Sequence, residues 1–204
     1  RFDKMTRVLY STDASIYQIE PIGVVIPRNA EDVIAVVETA VQHGVSVLPR
    51  GGGTSLAGQT VGHSVVMDFS KYMRNVIEVN PEERWVRTQP GIVLDALNRQ
   101  LAPHGLLFAP DPSTSNRGNI GGALGNNSCG AHSIMWGKTV DNVLELDVVL
   151  SDGHTARFNE LDGAQLESRM RASGLEGEIY RDLFAIGEAN RDEVLKRYPK
   201  IQRR

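Results

Sequence analysis

The chain has 204 residues, a formal net charge of −3, 41% hydrophobic residues and 23% charged residues. That length and composition suit one large soluble domain or two small lobes. No apolar run reaches membrane-spanning length, and the acidic balance argues against a nucleic-acid binder, which usually carries a basic stripe. One cysteine, Cys129, excludes an internal disulfide framework and a thiolate metal cage, and fits a cytoplasmic or membrane-peripheral setting. The chain opens on Arg1 with its first methionine at Met5, so it reads as a piece of a longer polypeptide.

Residues 1–20 show no period and read as a lead-in. Pro21 and Pro27 bracket the apolar run Ile22–Ile26, a buried strand. Asn29 is the N-cap of a helix with Glu31 and Asp32 in its first turn and Gly44 at its end. Val45–Leu48 and Val65–Phe69 are the next strands. Residues 21–75 therefore form a small α/β lobe.

Residues 76–204 form a second, larger lobe. Val76–Val79 and Trp85–Thr88 are strands about an Asn80-Pro81 turn, and Ile92–Leu101 is a helix. The stretch 109–133 reads as an irregular loop. Val143–Leu150 and His154–Phe158 flank Ser151-Asp152-Gly153 as a hairpin, and residues 160–171 and 176–198 are helical. The basic cluster Lys196, Arg197, Lys200, Arg203 and Arg204 reads as a solvated helix end. The fold class is α+β in two lobes, a mixed sheet with helices following the first lobe, and not a Rossmann sheet.

Two segments carry chemistry. The first is Pro49-Arg50-Gly51-Gly52-Gly53-Thr54-Ser55, continuing to Gly58 and Gln59. Consecutive glycines let backbone N–H groups converge into an anion nest. Thr54 and Ser55 add hydroxyls, and Arg50 either supplies charge to a phosphate or pairs within the protein. Gly53–Thr60 nearly spells a P-loop, but Gln59 stands where the lysine must be, which argues against NTP hydrolysis. No G-x-G-x-x-G motif occurs.

The second segment holds Pro110, Asp111, Ser113, Thr114, Gly118, Asn119, Gly121, Gly122, Asn126, Asn127 and Ser128. Its glycines and short polar side chains suit a flat, polar-edged ring with a phosphate tail. Two such loops favour a long bipartite cofactor over a single phosphate.

These two loops, with Trp136-Gly137 and Asp141-Asn142-Val143, resemble the FAD-binding domain of vanillyl-alcohol-oxidase-type (PCMH) flavoproteins. The likeness is greatest to the glycolate oxidase GlcD-like branch, which includes FAD-linked D-lactate, glycolate and D-2-hydroxyglutarate dehydrogenases. It covers roughly residues 15–160. The resemblance implies that Pro49–Ser55, Gly58 and Gln59 wrap the FAD diphosphate, and that the second-loop residues run along the ribityl chain and flavin. Thr54 stands where covalent members place a histidine, which implies non-covalent FAD. It further implies oxidation of a small hydroxy acid, with electrons leaving to a quinone or iron–sulfur partner. Any iron–sulfur cluster and the substrate domain would lie outside this chain, leaving the fragment itself inactive. The alternatives are a UDP-sugar reductase using the same FAD fold and a nucleotide-binding module without redox chemistry.

No catalytic residue and no metal ligand set is assigned. His43 and His104 read as helix-end residues, whereas His132 is a candidate to line the flavin site. Cys129 reads as a space-filling residue, and Trp85 and Trp136 as packing.

Overall fold

The computed structural model describes residues 1–198. Lys200, Arg203 and Arg204 of the basic cluster lie outside the described residues.

A short helix, α1 (Lys4–Leu9), stands in the presumed lead-in. Asp3 caps it by accepting from the Thr6 N–H at 2.9 Å. Met5, Val8 and Leu9 stay exposed, so no inward-facing stripe betrays the helix in the sequence. Beyond it, the Arg1 and Val24 backbones exchange two hydrogen bonds and lay the chain start along the first strand.

β1 (Gly23–Val25), β2 (Val47–Arg50) and β3 (Val65–Asp68) form a parallel sheet in the order β1-β3-β2. Val24 and Val66 are partners in register and fully buried. Burial of such side chains contributes about 1.5–3 kcal/mol each. α2 (Ala30–Gln42) links β1 to β2. Asn29 accepts from the Asp32 N–H at 2.8 Å, and Gly44, at φ 63°, ends the helix in a conformation that side chains resist. β2 begins two residues later than expected, which puts Arg50 inside the ladder opposite Asp68.

β4 (Val76–Asn80) and β5 (Trp85–Thr88) form an antiparallel hairpin. α3 starts at Leu94 rather than Ile92 and runs Leu94–Leu101. Ile92 and Val93 are instead extended: Ile92 O accepts from the Ile120 N–H at 3.0 Å, and Val93 bridges to Asn119. The core of this region is Ile92, Leu94, Leu97 and Leu101 with Ile120 and Ala123, flanked by Val76, Val79 and Val86.

Ile120 and Ala123 belong to α4 (Ile120–Gly125), a helix inside the stretch read as an irregular loop. Its three glycines are poor helix formers, and core packing of its two apolar residues overrides that preference. The one-turn α5 (Ser133–Trp136) follows, and a 3-10 turn at Thr139–Asn142 closes the first compact unit, Arg1–Asn142.

A second unit begins at Val143. β6 (Glu145–Val149) and β7 (Thr155–Asn159) form the expected hairpin. α6 (Gly163–Arg171) opens with a capping box between Asp162 and Gln165. α7 (Gly174–Arg197) packs back on α6, with Arg169 and Glu176 paired at 2.9 Å. Among the described residues no helix is long and apolar enough to cross a membrane. The architecture is α+β, with small sheets and helices.

Candidate cofactor-binding site

β2 carries Pro49 and Arg50 to the edge of the first loop, and β3 receives the chain again at Val65. Pro49 is exposed. The Arg50 guanidinium turns to the chain start: Nη1 donates to Tyr10 O (3.3 Å) and Thr60 O (3.1 Å), and Nη2 donates to Thr12 O (2.8 Å). Gly53 has φ 64°, and a β-carbon there would lie 2.6 Å from Arg50 Nη2. Further along, Ser55 Oγ accepts from the Ala57 and Gln59 N–H groups and donates to Gln59 Oε1 at 2.8 Å.

The second loop hangs on residues 90–95. The first amides of α3 find acceptors in it: Leu94 N donates to Gly118 O and Asp95 N to Ser115 O, both at 3.0 Å. Gly121 N donates to Pro90 O, and Asn119 Nδ2 donates to Gly91 O at 2.5 Å. Pro110 is buried just before the loop turns. Within it Gly118 N donates to Thr114 O, Ser113 is exposed, and Asp111 is half-buried. The loop's exit is equally fixed. Ser128 O accepts from Thr139 N (3.0 Å) and Oγ1 (2.7 Å), and Asn127 Oδ1 accepts from Val140 N at 3.0 Å.

The two loops meet. Gly51 faces Asn119, whose Oδ1 would lie 2.6 Å from a β-carbon, and Gly52 faces the Arg117 carbonyl even more closely. Gln59 Nε2 donates to Asn126 Oδ1 at 3.3 Å and joins the loops directly. Asn119 is 4% exposed, and its Oδ1 is buried without a hydrogen-bond partner. Buried polar atoms are normally satisfied, so this acceptor calls for a donor from elsewhere. Gly122 and Gly125, by contrast, would each direct a β-carbon into open space. The result is a paired-loop cradle whose inner glycines allow close contact between loops and whose outer glycines leave room. Such a cradle, with open space beside Gly122 and Gly125, fits a long dinucleotide such as FAD.

One further group falls beside the second loop. His132 Nδ1 lies 2.5 Å from Asp111 Oδ2, and its N–H donates to Asp111 Oδ1 at 3.2 Å. The hydrogen bond from the His132 side chain holds the Asp111 carboxyl below its ordinary pKa. Trp136 stacks on His132 with ring centroids 4.9 Å apart. Gly130 presses on Asp111, so the two ends of the loop are buckled together. Cys129 is exposed and fills no core space, contrary to expectation. Sequence spacing hides the Asp111–His132 pair, because 21 residues separate them. Among the described residues no group of three His, Cys, Asp or Glu is arranged to hold a metal.

Comparison with known proteins gives this cradle its family. The model of the FAD binding domain matches residues 21–159. D-2-hydroxyglutarate dehydrogenase of Pseudomonas putida is 43% identical over 98% of this chain, and that of Escherichia coli K12 is 38% identical over 97%. Glycolate oxidase subunit GlcD of Bacillus subtilis is 35% identical over 74% of the chain and is itself covered over 33% of its length. The chain spans 20% of the length of those two dehydrogenases. An alkyldihydroxyacetonephosphate synthase structure superposes with a TM-score of 0.70 at 24% identity, over 80% of this chain and 32% of that one. The 6-hydroxy-D-nicotine oxidase of Arthrobacter nicotinovorans does so with 0.67 at 18%, over 77% and 34%. At those identities the superpositions speak for the fold alone, and they agree with the mixed helix-and-sheet architecture. The family match and the paired loops converge: this chain belongs to the FAD-binding domain family of the PCMH type, and FAD is its cofactor.

Proposed function

We propose that the polypeptide carrying this chain is an FAD-linked dehydrogenase that oxidises a small D-2-hydroxy acid to a 2-oxo acid. The substrate class is that of glycolate, D-lactate and D-2-hydroxyglutarate. The observation that carries this reading is the 43% identity to a D-2-hydroxyglutarate dehydrogenase across 98% of the chain, joined to a cradle of matching chemistry. When bound, FAD supplies an acceptor for the hydride equivalent of the hydroxy acid.

The chain's own residues bind and orient. Backbone N–H groups of Gly51–Ser55 face the diphosphate, with the hydroxyls of Thr54 and Ser55 beside them. Gly58 and Gln59 complete that loop. Pro110, Asp111, Ser113, Thr114, Gly118, Asn119, Gly121, Gly122, Asn126, Asn127 and Ser128 line the ribityl and flavin end. Thr54 offers no imidazole to the flavin, so FAD is held without a covalent bond. In this reading the first loop belongs to a lobe of residues 21–75 and the second to a lobe beginning at residue 76. Electrons leave to a quinone or iron–sulfur acceptor outside the chain, in a cytoplasmic protein that visits the membrane surface.

The test is anaerobic reduction of the purified, FAD-loaded polypeptide. Bleaching of the flavin absorbance by achiral glycolate, or by D-lactate or D-2-hydroxyglutarate and not by the L enantiomer, is the expected result. Bleaching by NADPH alone, or by none of the three hydroxy acids, would sink the assignment.

A further inference from the structure

We propose that Arg50 is the positioning residue of the first loop and no ligand of the cofactor diphosphate, and that residues 10–17 are a strap holding that loop in its binding shape. The inference rests on the reading of the first loop as part of the FAD site.

The geometry is directional. Two guanidinium nitrogens of Arg50 donate to three carbonyls, those of Tyr10, Thr12 and Thr60. The guanidinium carbon also lies 5.3 Å from the centroid of the Tyr10 ring. Tyr10 is itself pinned, its hydroxyl donating to Asp68 Oδ2 at 2.6 Å next to β2. An arginine engaged in this way spends its planar donor set on backbone oxygens, and a lysine could not reproduce that pattern from a single nitrogen.

The strap then follows the loop from end to end. Ala14 N donates to Gly53 O at 3.0 Å. Asp13 Oδ2 accepts from Thr60 Oγ1 at 2.9 Å and from Thr60 N at 3.4 Å, while Asp13 Oδ1 accepts from Ser15 N at 2.8 Å. Burial opposes the Asp13 charge, but these hydrogen bonds from Ser15 and Thr60 outweigh it and keep the carboxyl below its ordinary pKa. The Tyr17 ring closes the far side, 2.6 Å from where a Gly58 β-carbon would stand. Arg50, Gly53, Gly58 and Thr60 are thus all set by residues 10–17.

A negative charge on this strap makes the idea testable by sign. Were electrostatics the only link to the dianionic diphosphate, removing the Asp13 carboxylate would tighten FAD binding. The strap requires the opposite. The experiment uses the longest natural polypeptide containing these residues, stripped of flavin and titrated with FAD. Asp13→Ala is expected to weaken FAD roughly tenfold, the scale of one lost hydrogen bond to a charged group, and Asp13→Asn, which keeps an acceptor, to weaken it less. Arg50→Lys is expected to bind as poorly as Arg50→Ala, despite keeping its charge. Amides of residues 51–60 exchange faster in the flavin-free Asp13→Ala and Arg50→Lys proteins than in the parent. Tighter binding by both Asp13 variants, or parental affinity in Arg50→Lys, overturns the proposal. If the Arg50 variants do not fold, the Asp13 pair and the exchange of residues 51–60 decide it. Failure of the unmutated protein to take up FAD is a separate result, and it refutes the site itself.

Discussion

Two glycines one loop apart face opposite demands. A β-carbon on Gly52 would be driven into the Arg117 carbonyl, a backbone atom that cannot swing away. Gly52→Ala is therefore expected to cost about 1–3 kcal/mol of stability, read as a lower Tm without cofactor, because the loops must part to admit the methyl group. A β-carbon on Gly122 would meet nothing within 4 Å. Gly122→Ala should raise that Tm slightly, since alanine suits a helix interior better by about 0.5–1 kcal/mol, yet weaken FAD binding, because the cofactor fills the open side of α4; isothermal titration checks it. Tyr10 supplies a pH signature at the same scale. Burial and the hydrogen bond to Asp68 push its pKa up to about 12, against about 10 in the unfolded chain. The neutral phenol is the form the folded protein favours, so its contribution is full below pH 10 and is lost as pH rises through 12. Tyr10→Phe should flatten the decline in Tm over that alkaline window.

Elements differ in how openly the sequence announces them, and the reason is where their determinants lie. α2 was fully legible, because Asn29, the acidic first turn and Gly44 are all local signals. The hairpin of β6 and β7 was legible for the same reason. α4 was not: Gly121, Gly122 and Gly125 argue for a loop, and only the burial of Ile120 and Ala123 against Ile92, Leu94 and Leu97 makes it a helix. Ile120→Ala should accordingly cost about 2–5 kcal/mol and carry the FAD affinity down with it, since α4 presents the second loop. Chemical denaturation of parent and variant would show it. α1 escaped because six residues with an exposed apolar side carry no period. The two glycine-rich loops could be read from composition, but their contact could not. Gly51 and Asn119 are 68 positions apart, as Gln59 and Asn126 are 67, and no local pattern encodes such pairings. Arg50 is a case the sequence leaves open between a phosphate and a partner within the protein, and three carbonyls accept from it in the structure.

At the scale of the whole molecule, a chain spanning 20% of its dehydrogenase relatives nevertheless keeps both loops within one compact unit, Arg1–Asn142. Ligand that binds only the folded state adds RT ln(1 + [L]/Kd), about 2.7 kcal/mol at a hundredfold excess over Kd. FAD should therefore raise the Tm of the 204-residue chain in a concentration-dependent way, and riboflavin, which lacks the diphosphate and adenosine, should do so far less. Equal shifts with both ligands would count against a diphosphate held by the first loop.

The dependence of Gly53, Gly58 and Thr60 on residues 10–17 bears on where a working unit of this family begins. The family match opens at residue 21, downstream of every strap residue. A polypeptide trimmed to that boundary would retain the whole glycine motif and both strands around it, but Arg50 would face no carbonyl from Tyr10 or Thr12, and Gly53 O would lose its donor. The family-model boundary alone would thus set the cut downstream of the strap, whereas a relative that aligns over 98% of the chain takes the strap in, and a library of truncations screened for flavin colour should show its step between residues 10 and 17, ahead of the first residue matched by the family model.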